Sequence, residues 1–176
     1  MDNLMTTRLL LHPLSAAEAA SVEAGEPPAG TLWAPGYPGD GDRGVARRFL
    51  ETCADAGSPQ PFGAYEIRRR ADGHVIGGVG FHGRPDSDGR VTIGYGLIPS
   101  VRGLGYASEA LRALLAFARS QGVASVKGDA DLDNTRSHHV MAAAGMRLVG
   151  EDDRLKHFRI DWSTNRADVW TMTPDA

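Results

Sequence analysis

The sequence predicts a mixed α/β fold, a mainly antiparallel sheet flanked by helices. Three observations carry that expectation. Apolar residues follow helical spacing early in the chain, alternate between residues 62 and 98, and return to spacings of three and four from 106 onward. The alternating segments are separated by tight-turn sequences such as Ala71-Asp72-Gly73, so consecutive strands fold back antiparallel. The 176 residues, 41% hydrophobic and 23% charged, suit one globular domain, expected over 1–176, with no internal repeat or linker.

Each element has a local reason. Arg8-Leu9-Leu10-Leu11 forms a short strand ended by Pro13, and Ser15 caps a helix whose Glu18 completes a capping box. From Gly25 to Asp42 the density of proline and glycine predicts a long loop, which carries the aromatics Trp33 and Tyr37. A helix over 42–54 would place Val45, Phe49 and Leu50 inward. Strands are expected over 62–67 and 75–81, followed by one with Val91, Ile93, Tyr95 and Leu97 on one face and Thr92, Gly94, Gly96 and Ile98 on the other. After Pro99, Ala107, Ala110, Leu111, Leu114 and Ala118 mark a helix stopped at Gly122. A strand over 123–130, a helix over 134–144 and a strand over 146–149 complete the alternation, with further strands expected over 158–162 and 169–172.

Composition removes several function classes. Lys plus Arg number 19 against 22 Asp plus Glu, and no long run of either sign appears, which argues against nucleic acid as a partner. Cys53 is the single cysteine, so neither an internal disulfide nor a zinc framework is expected. His138 and His139 are adjacent and diverge by about 100° on a helix, so no metal is expected. No segment approaches the roughly 18 apolar residues that span a bilayer, and the opening residues lack a basic run followed by an apolar stretch. The expectation is a cytoplasmic protein with no membrane partner.

The chemistry concentrates where a strand ends at Pro99 and a helix begins after Arg102-Gly103-Leu104-Gly105-Tyr106-Ala107. Glycines let backbone amides approach a ligand, and the free amides of a helix N-terminus favour an anion. The spacing is neither a P-loop nor a dinucleotide fingerprint. It closely resembles the pyrophosphate loop of the GNAT N-acetyltransferases, Arg/Gln-x-x-Gly-x-Gly/Ala, and Ile93-Gly94-Tyr95 before it and Ser108-Glu109-Ala110-Leu111 after it match as well. Downstream, Asn134-Thr135-Arg136-Ser137 is similar to the family's Asn-x-x-Ser motif. Thr7-Arg8-Leu9-Leu10-Leu11 resembles the opening of the branch that acetylates ribosomal-protein N-termini.

The resemblance implies a GNAT fold whose sheet is splayed between its fourth and fifth strands to admit acetyl-CoA. It implies that the backbone of Leu97 and Ile98 pairs with the pantetheine arm. Gly103, Leu104, Gly105, Tyr106 and Ala107 would hold the pyrophosphate with Arg102 beside them, Asn134 would orient the thioester, and Ser137 would protonate the departing thiolate. One departure stands out: many relatives read Glu-Ile-Gly-Tyr, and this chain has Thr92-Ile93-Gly94-Tyr95, which removes a carboxylate base. His82, Asp129, Asp131 and His138 are the substitutes in sequence, and Met141 stands where some branches carry a tyrosine acid. The expected activity is acetyl transfer to a primary amine, a small molecule or a peptide N-terminus, with an acyl-CoA-binding module or thioester hydrolysis as rivals and a homodimer left open. Trp33 and Tyr37, with Glu151, Asp152, Asp153 and Asp161, suit an ammonium-bearing acceptor. The Arg68-Arg69-Arg70 run is expected to be solvated.

Overall fold

Alternation through residues 64–97 builds the centre of the sheet. In the computed structural model, which describes residues 2–162, β4 (Ala64–Arg69), β5 (His74–Phe81) and β6 (Arg90–Leu97) form the expected antiparallel meander. β2 (Leu9–Pro13) adds antiparallel to β4, and β1 (Leu4–Met5) closes that edge. On the other side β6 runs parallel to β7 (Ser125–Asp131), followed by β9 (Leu155–Asp161) and the edge strand β8 (Arg147–Glu151). The sheet order is β1-β2-β4-β5-β6-β7-β9-β8, with β3 (Leu32–Trp33) lying parallel to the start of β5. The strand expected over 169–172 lies outside the described residues.

The helices follow their signals. At α1 (Ala16–Ala24), Ser15 Oγ accepts from the Glu18 N–H at 3.2 Å and Glu18 accepts from the Ser15 N–H at 2.8 Å, the expected capping box, so Ser15→Ala would cost about 1 kcal/mol. α2 (Asp40–Ala56) starts two residues earlier than expected, inside the proline-rich connection. It buries Ala46 and Phe49, and Val45, one position off that stripe, stays exposed, because each helical step turns a side chain by about 100°. α3 (Tyr106–Ser120) buries Ala110, Leu111, Leu114, Leu115 and Ala118, and α4 (Thr135–Ala143) buries Met141. α1 and α2 pack on each other over one face of the sheet, and α3 and α4 cover the other. Among the described residues no helix is long and apolar enough to cross a membrane.

Two features position the site. β6 and β7 pair only from Arg90–Thr92 to Ser125–Lys127 and then diverge, which leaves a wedge open beside Gly94 to Leu97. On the α2 side, Gly78 pairs with Gly96 and Gly80 with Gly94, so two neighbouring strands present glycines where α2 begins.

Candidate active site

Beyond β6, Ile98 donates its N–H to the Ile76 carbonyl at 2.9 Å, and Pro99–Val101 makes one 3-10 turn. Arg102 is exposed and turns its Nε back onto the Leu97 carbonyl at 3.0 Å. Gly103 and Gly105 have φ of +79° and +84°, a region closed to most side chains, and this reverses the chain into α3. Gly105 caps α3 without a side-chain bond, and among the described residues the amides of Gly105, Tyr106, Ala107 and Ser108 have no backbone acceptor. Four free donors at the positive end of a 15-residue helix form an anion cradle.

The cradle is held from behind. Arg8 donates Nη1 to the Leu104 carbonyl at 2.9 Å and Nε to Glu109 Oε2 at 2.7 Å, and its guanidinium lies 4.3 Å from the Tyr106 ring centroid. Glu109 Oε1 also accepts from the Arg8 N–H at 2.8 Å and from Thr6 Oγ1 at 2.6 Å. Partial burial alone would raise the Glu109 carboxyl, but these donors outweigh it and hold it below the usual carboxylate range. The neighbouring arginines are spent on structure: Arg68 on Glu66, Arg69 on Asp72, and Arg70 on the carbonyls of Thr6 and Thr7.

Across the wedge, the Tyr95 hydroxyl sits 2.6 Å from Ser137 Oγ and 3.1 Å from the Ser137 carbonyl, tying β6 to α4. Burial raises the Tyr95 hydroxyl above its usual range, partly offset by the Ser137 bond, so it stays protonated at neutral pH. Asn134 caps α4, its Oδ1 accepting from the Ser137 N–H at 3.2 Å. Met141 is core: its Sδ lies 2.9 Å from where a Cβ on Gly128 would stand. Thr92 marks the last β6–β7 pair.

A cleft of about 740 Å³ runs from the β6 end to α2, walled by Tyr37, Asp42, Tyr65, His82, Tyr95 and Arg102. Tyr37 is buried and meets Trp33 edge-on at 5.4 Å. Trp33 backs Tyr37 and does not itself line the cleft, and its buried Nε1 has no partner among the described residues. Asp42 Oδ2 accepts from the Gly39 N–H at 2.9 Å, while Oδ1 lies over β5, 3.5 Å from a would-be Cβ on Gly78. Burial raises the Asp42 carboxyl, and the Gly39 bond offsets only part of that. His82 stands beside Gly94 in the open part of the cleft, and desolvation followed by the Arg48 charge pushes its imidazole down, toward the neutral form.

Of the other substitute bases, Asp131 is exposed at the end of β7, and Asp129 and His138 are tied elsewhere. Asp129 accepts from His157 Nδ1 at 2.5 Å, and His157 Nε2 donates to Asp152 at 2.9 Å. His138 Nε2 donates to the Asp131 carbonyl at 2.9 Å, and its ring stacks on Phe158. Asp161, at the end of β9, is bound by Arg147 and Arg159, whereas Glu151 and Asp153 form no ion pair among the described residues.

Residues 8–147 match the family model for the acetyltransferase (GNAT) domain. The chain belongs to the GNAT acetyltransferase family. It is 28% identical over 111 residues, 62% of its length, to the uncharacterized N-acetyltransferase YjdG of Bacillus subtilis (strain 168), a match spanning 66% of that relative, just under two thirds. A GNAT-family acetyltransferase from Bacillus anthracis superposes with a TM-score of 0.66 at 19% identity, covering 91% of this chain and 98% of that one. The ribosomal L7/L12 alpha-N-protein acetyltransferase RimL, solved with coenzyme A, gives 0.67 at 17% identity, with the same coverage. At such identities the likeness is one of fold.

Within this GNAT chain Tyr95, Leu97, Ile98 and Arg102 line one cleft with Tyr37, the glycine loop 103–107 follows Arg102 into α3, and Ser137 meets Tyr95 from α4. Three groups were missed in sequence. Tyr95 was read as part of a motif and not as a partner of Ser137. Arg8 and Glu109 belonged to two separate motifs 101 residues apart. Asp42 stood at the end of a loop, although Gly39-x-x-Asp42 has the spacing of a helix-capping carboxylate.

Proposed function

We propose that this chain transfers an acetyl group from acetyl-CoA to a primary amine by direct attack. The observation that carries the reading is the open wedge between β6 and β7, which ends at an amide cradle on α3. The residues present fit the co-substrate: the free amides of Gly105, Tyr106 and Ala107, with Gly103, Leu104 and Arg102 beside them, suit a diphosphate, and the wedge suits an extended pantetheine arm. Ile98 N–H is already engaged, so the arm would pair with what Leu97 and Ile98 leave free at the strand edge. Acetyl-CoA supplies an activated acetyl thioester. Ser137, backed by the protonated Tyr95 hydroxyl, supplies a proton toward the sulfur side of the wedge, and Asn134, held as the α4 cap, keeps Ser137 in place. The amine enters along the Tyr37 wall, with Trp33 as its support, and alignment of the two substrates provides much of the rate. The same proposal covers a small molecule or a peptide N-terminus as acceptor, and a cytoplasmic setting.

Thr92 favours a second reading, acyl-CoA binding with little turnover. Calorimetry with acetyl-CoA and release of CoA thiol, with and without a panel of amines, separate the two. Amine-dependent release supports transfer, binding without release supports the module, and amine-independent release supports hydrolysis. Arg102→Ala should weaken acetyl-CoA about tenfold, the modest end for an exposed charge-assisted bond, and Gly105→Val should do more by closing the φ-positive turn. Binding equal to the parent in both variants would place the co-substrate elsewhere.

A further inference from the structure

The α2 side of the cleft holds a carboxylate with one oxygen left unspent among the described residues. Asp42 spends one oxygen on the Gly39 N–H and turns the other over β5. Among the described residues no lysine, arginine or histidine forms an ion pair with it. Glu66, on the same face of the sheet and almost fully buried, does have its cation, Arg68 at 2.8 Å. Taking a carboxylate from water without a cation is costly, and the α2 N-terminus that Asp42 caps offsets only part of that cost, so a cationic ligand would be favoured there.

The floor beside it is shaped for such a ligand. Gly78, directly beneath Asp42, pairs with Gly96 on β6, and a Cβ on Gly96 would meet no atom of the described residues within 4 Å. Neighbouring strands lie about 4.8 Å apart, so a nitrogen seated over Gly96 is about one strand spacing from the carboxylate. Gly96 also precedes Leu97, at the edge where the thioester is expected. Of the other groups facing this space, Tyr37 is held protonated by burial and the His82 imidazole is pushed toward neutrality, while the two arginines that line the cleft, Arg48 and Arg102, form no ion pair with Asp42, and Arg102 turns back onto the Leu97 carbonyl.

Resting on the acetyl-transfer reading above, we infer that Asp42 receives the acceptor's ammonium group over Gly96, which makes the acceptor a cationic alkylamine and Asp42 a residue that selects it. The burial that raises its carboxyl would be relieved by that pairing. The seated ammonium has no lone pair, so it gives one proton to the water of the open cleft, and the free amine then forms the C–N bond as the C–S bond breaks and the thiolate takes its proton from the Ser137 side.

The test compares phenethylamine, cationic at neutral pH, with its uncharged counterparts 2-phenylethanol and aniline. Binding is followed by ligand-observed NMR and turnover by CoA thiol release, in the parent, Asp42→Asn and Asp42→Ser. Both variants keep an oxygen for the Gly39 N–H, and melting curves check that they fold. The parent should prefer phenethylamine over 2-phenylethanol by tenfold or more. In either variant that preference should vanish and kcat/KM for phenethylamine should fall at least tenfold through KM, with acetyl-CoA affinity unchanged. No charge preference in the parent, or a preference that survives both substitutions, overturns the inference. A preference that depends on Asp42 without any amine-dependent thiol release upholds the ammonium site and sinks the transfer reading. Amine-dependent release that is indifferent to Asp42 does the reverse.

Discussion

Ser137 and Tyr95 share one short hydrogen bond between α4 and β6, and it gives the serine a chemical context that an exposed helix hydroxyl would lack. A serine alone is a poor acid at neutral pH, whereas one backed by a buried phenol can pass a proton and regain it. Ser137→Ala should lower kcat by about a hundredfold while leaving acetyl-CoA affinity near the parent's, and Tyr95→Phe should lower kcat by a smaller factor in the same direction. A loss of acetyl-CoA affinity with kcat unchanged would make the pair a strut across the wedge and nothing more. The motif around Asn134 and Ser137 was legible because helix caps and hydroxyls have sequence signatures. Tyr95 as a partner was not, because a contact between residues 42 apart depends on how strands diverge.

The N-terminal turn of α3 depends on the strand edge that packs behind it. Glu109 accepts three hydrogen bonds from Thr6 and Arg8, and Arg8 also holds the Leu104 carbonyl, so the cradle's shape is set by residues about a hundred positions away. Glu109→Gln keeps the size of the side chain and removes its charge. It should lower stability by about 1–2 kcal/mol and weaken acetyl-CoA several-fold in parallel, measured by denaturant melts and calorimetry. Parent-like affinity in the destabilised variant would show that the cradle holds its own shape. The β8–β9 hairpin offers a test in pH. Hydrogen bonds to Asp129 and then Asp152 raise the His157 imidazole, so its contribution is full below its unfolded value of about 6.5 and fades as pH rises through the raised folded value. Asp152 is held down to about 2, first by the Arg154 and Leu155 amides and then by His157. Its contribution is full above its unfolded value of about 3.9 and fades as pH falls through about 2. Amide exchange in β8 and β9 should therefore be slowest between about pH 4 and 6.5 after correction for intrinsic rates, and His157→Gln should erase the alkaline change and shrink the acid one. A flat profile in the parent would remove the network from the hairpin's stability.

For the molecule as a whole, long periodic segments were legible and short or covered ones were not. The meander, α3 and the β7-α4-β8 alternation carried strong periods. β1 and β3, two residues each, are too short to have one, and the connection read as pure loop contains both β3 and the first turn of α2. Glu66 sits on the polar stripe of β4 and yet is 1% exposed, because α1 and α2 cover a face whose alternation suggests solvent. The glycines of β5 and β6 were seen only as spacing, and their roles now divide. A Cβ on Gly77 would stand 2.1 Å from the Gly96 carbonyl and one on Gly80 2.7 Å from that of Gly63, so the scaffold itself forbids larger residues there. At Gly96 the scaffold forbids nothing. Gly96→Ala should make the unfolded chain less free and raise stability by about 0.4–1 kcal/mol, seen as a higher melting temperature, while the methyl narrows the acceptor's seat and raises KM for bulky amines more than for small ones. On the acetyl-transfer reading, the protein thus forgoes stability at one strand position in return for substrate volume. A single substitution there would trade one for the other and leave the cradle and the wedge unchanged.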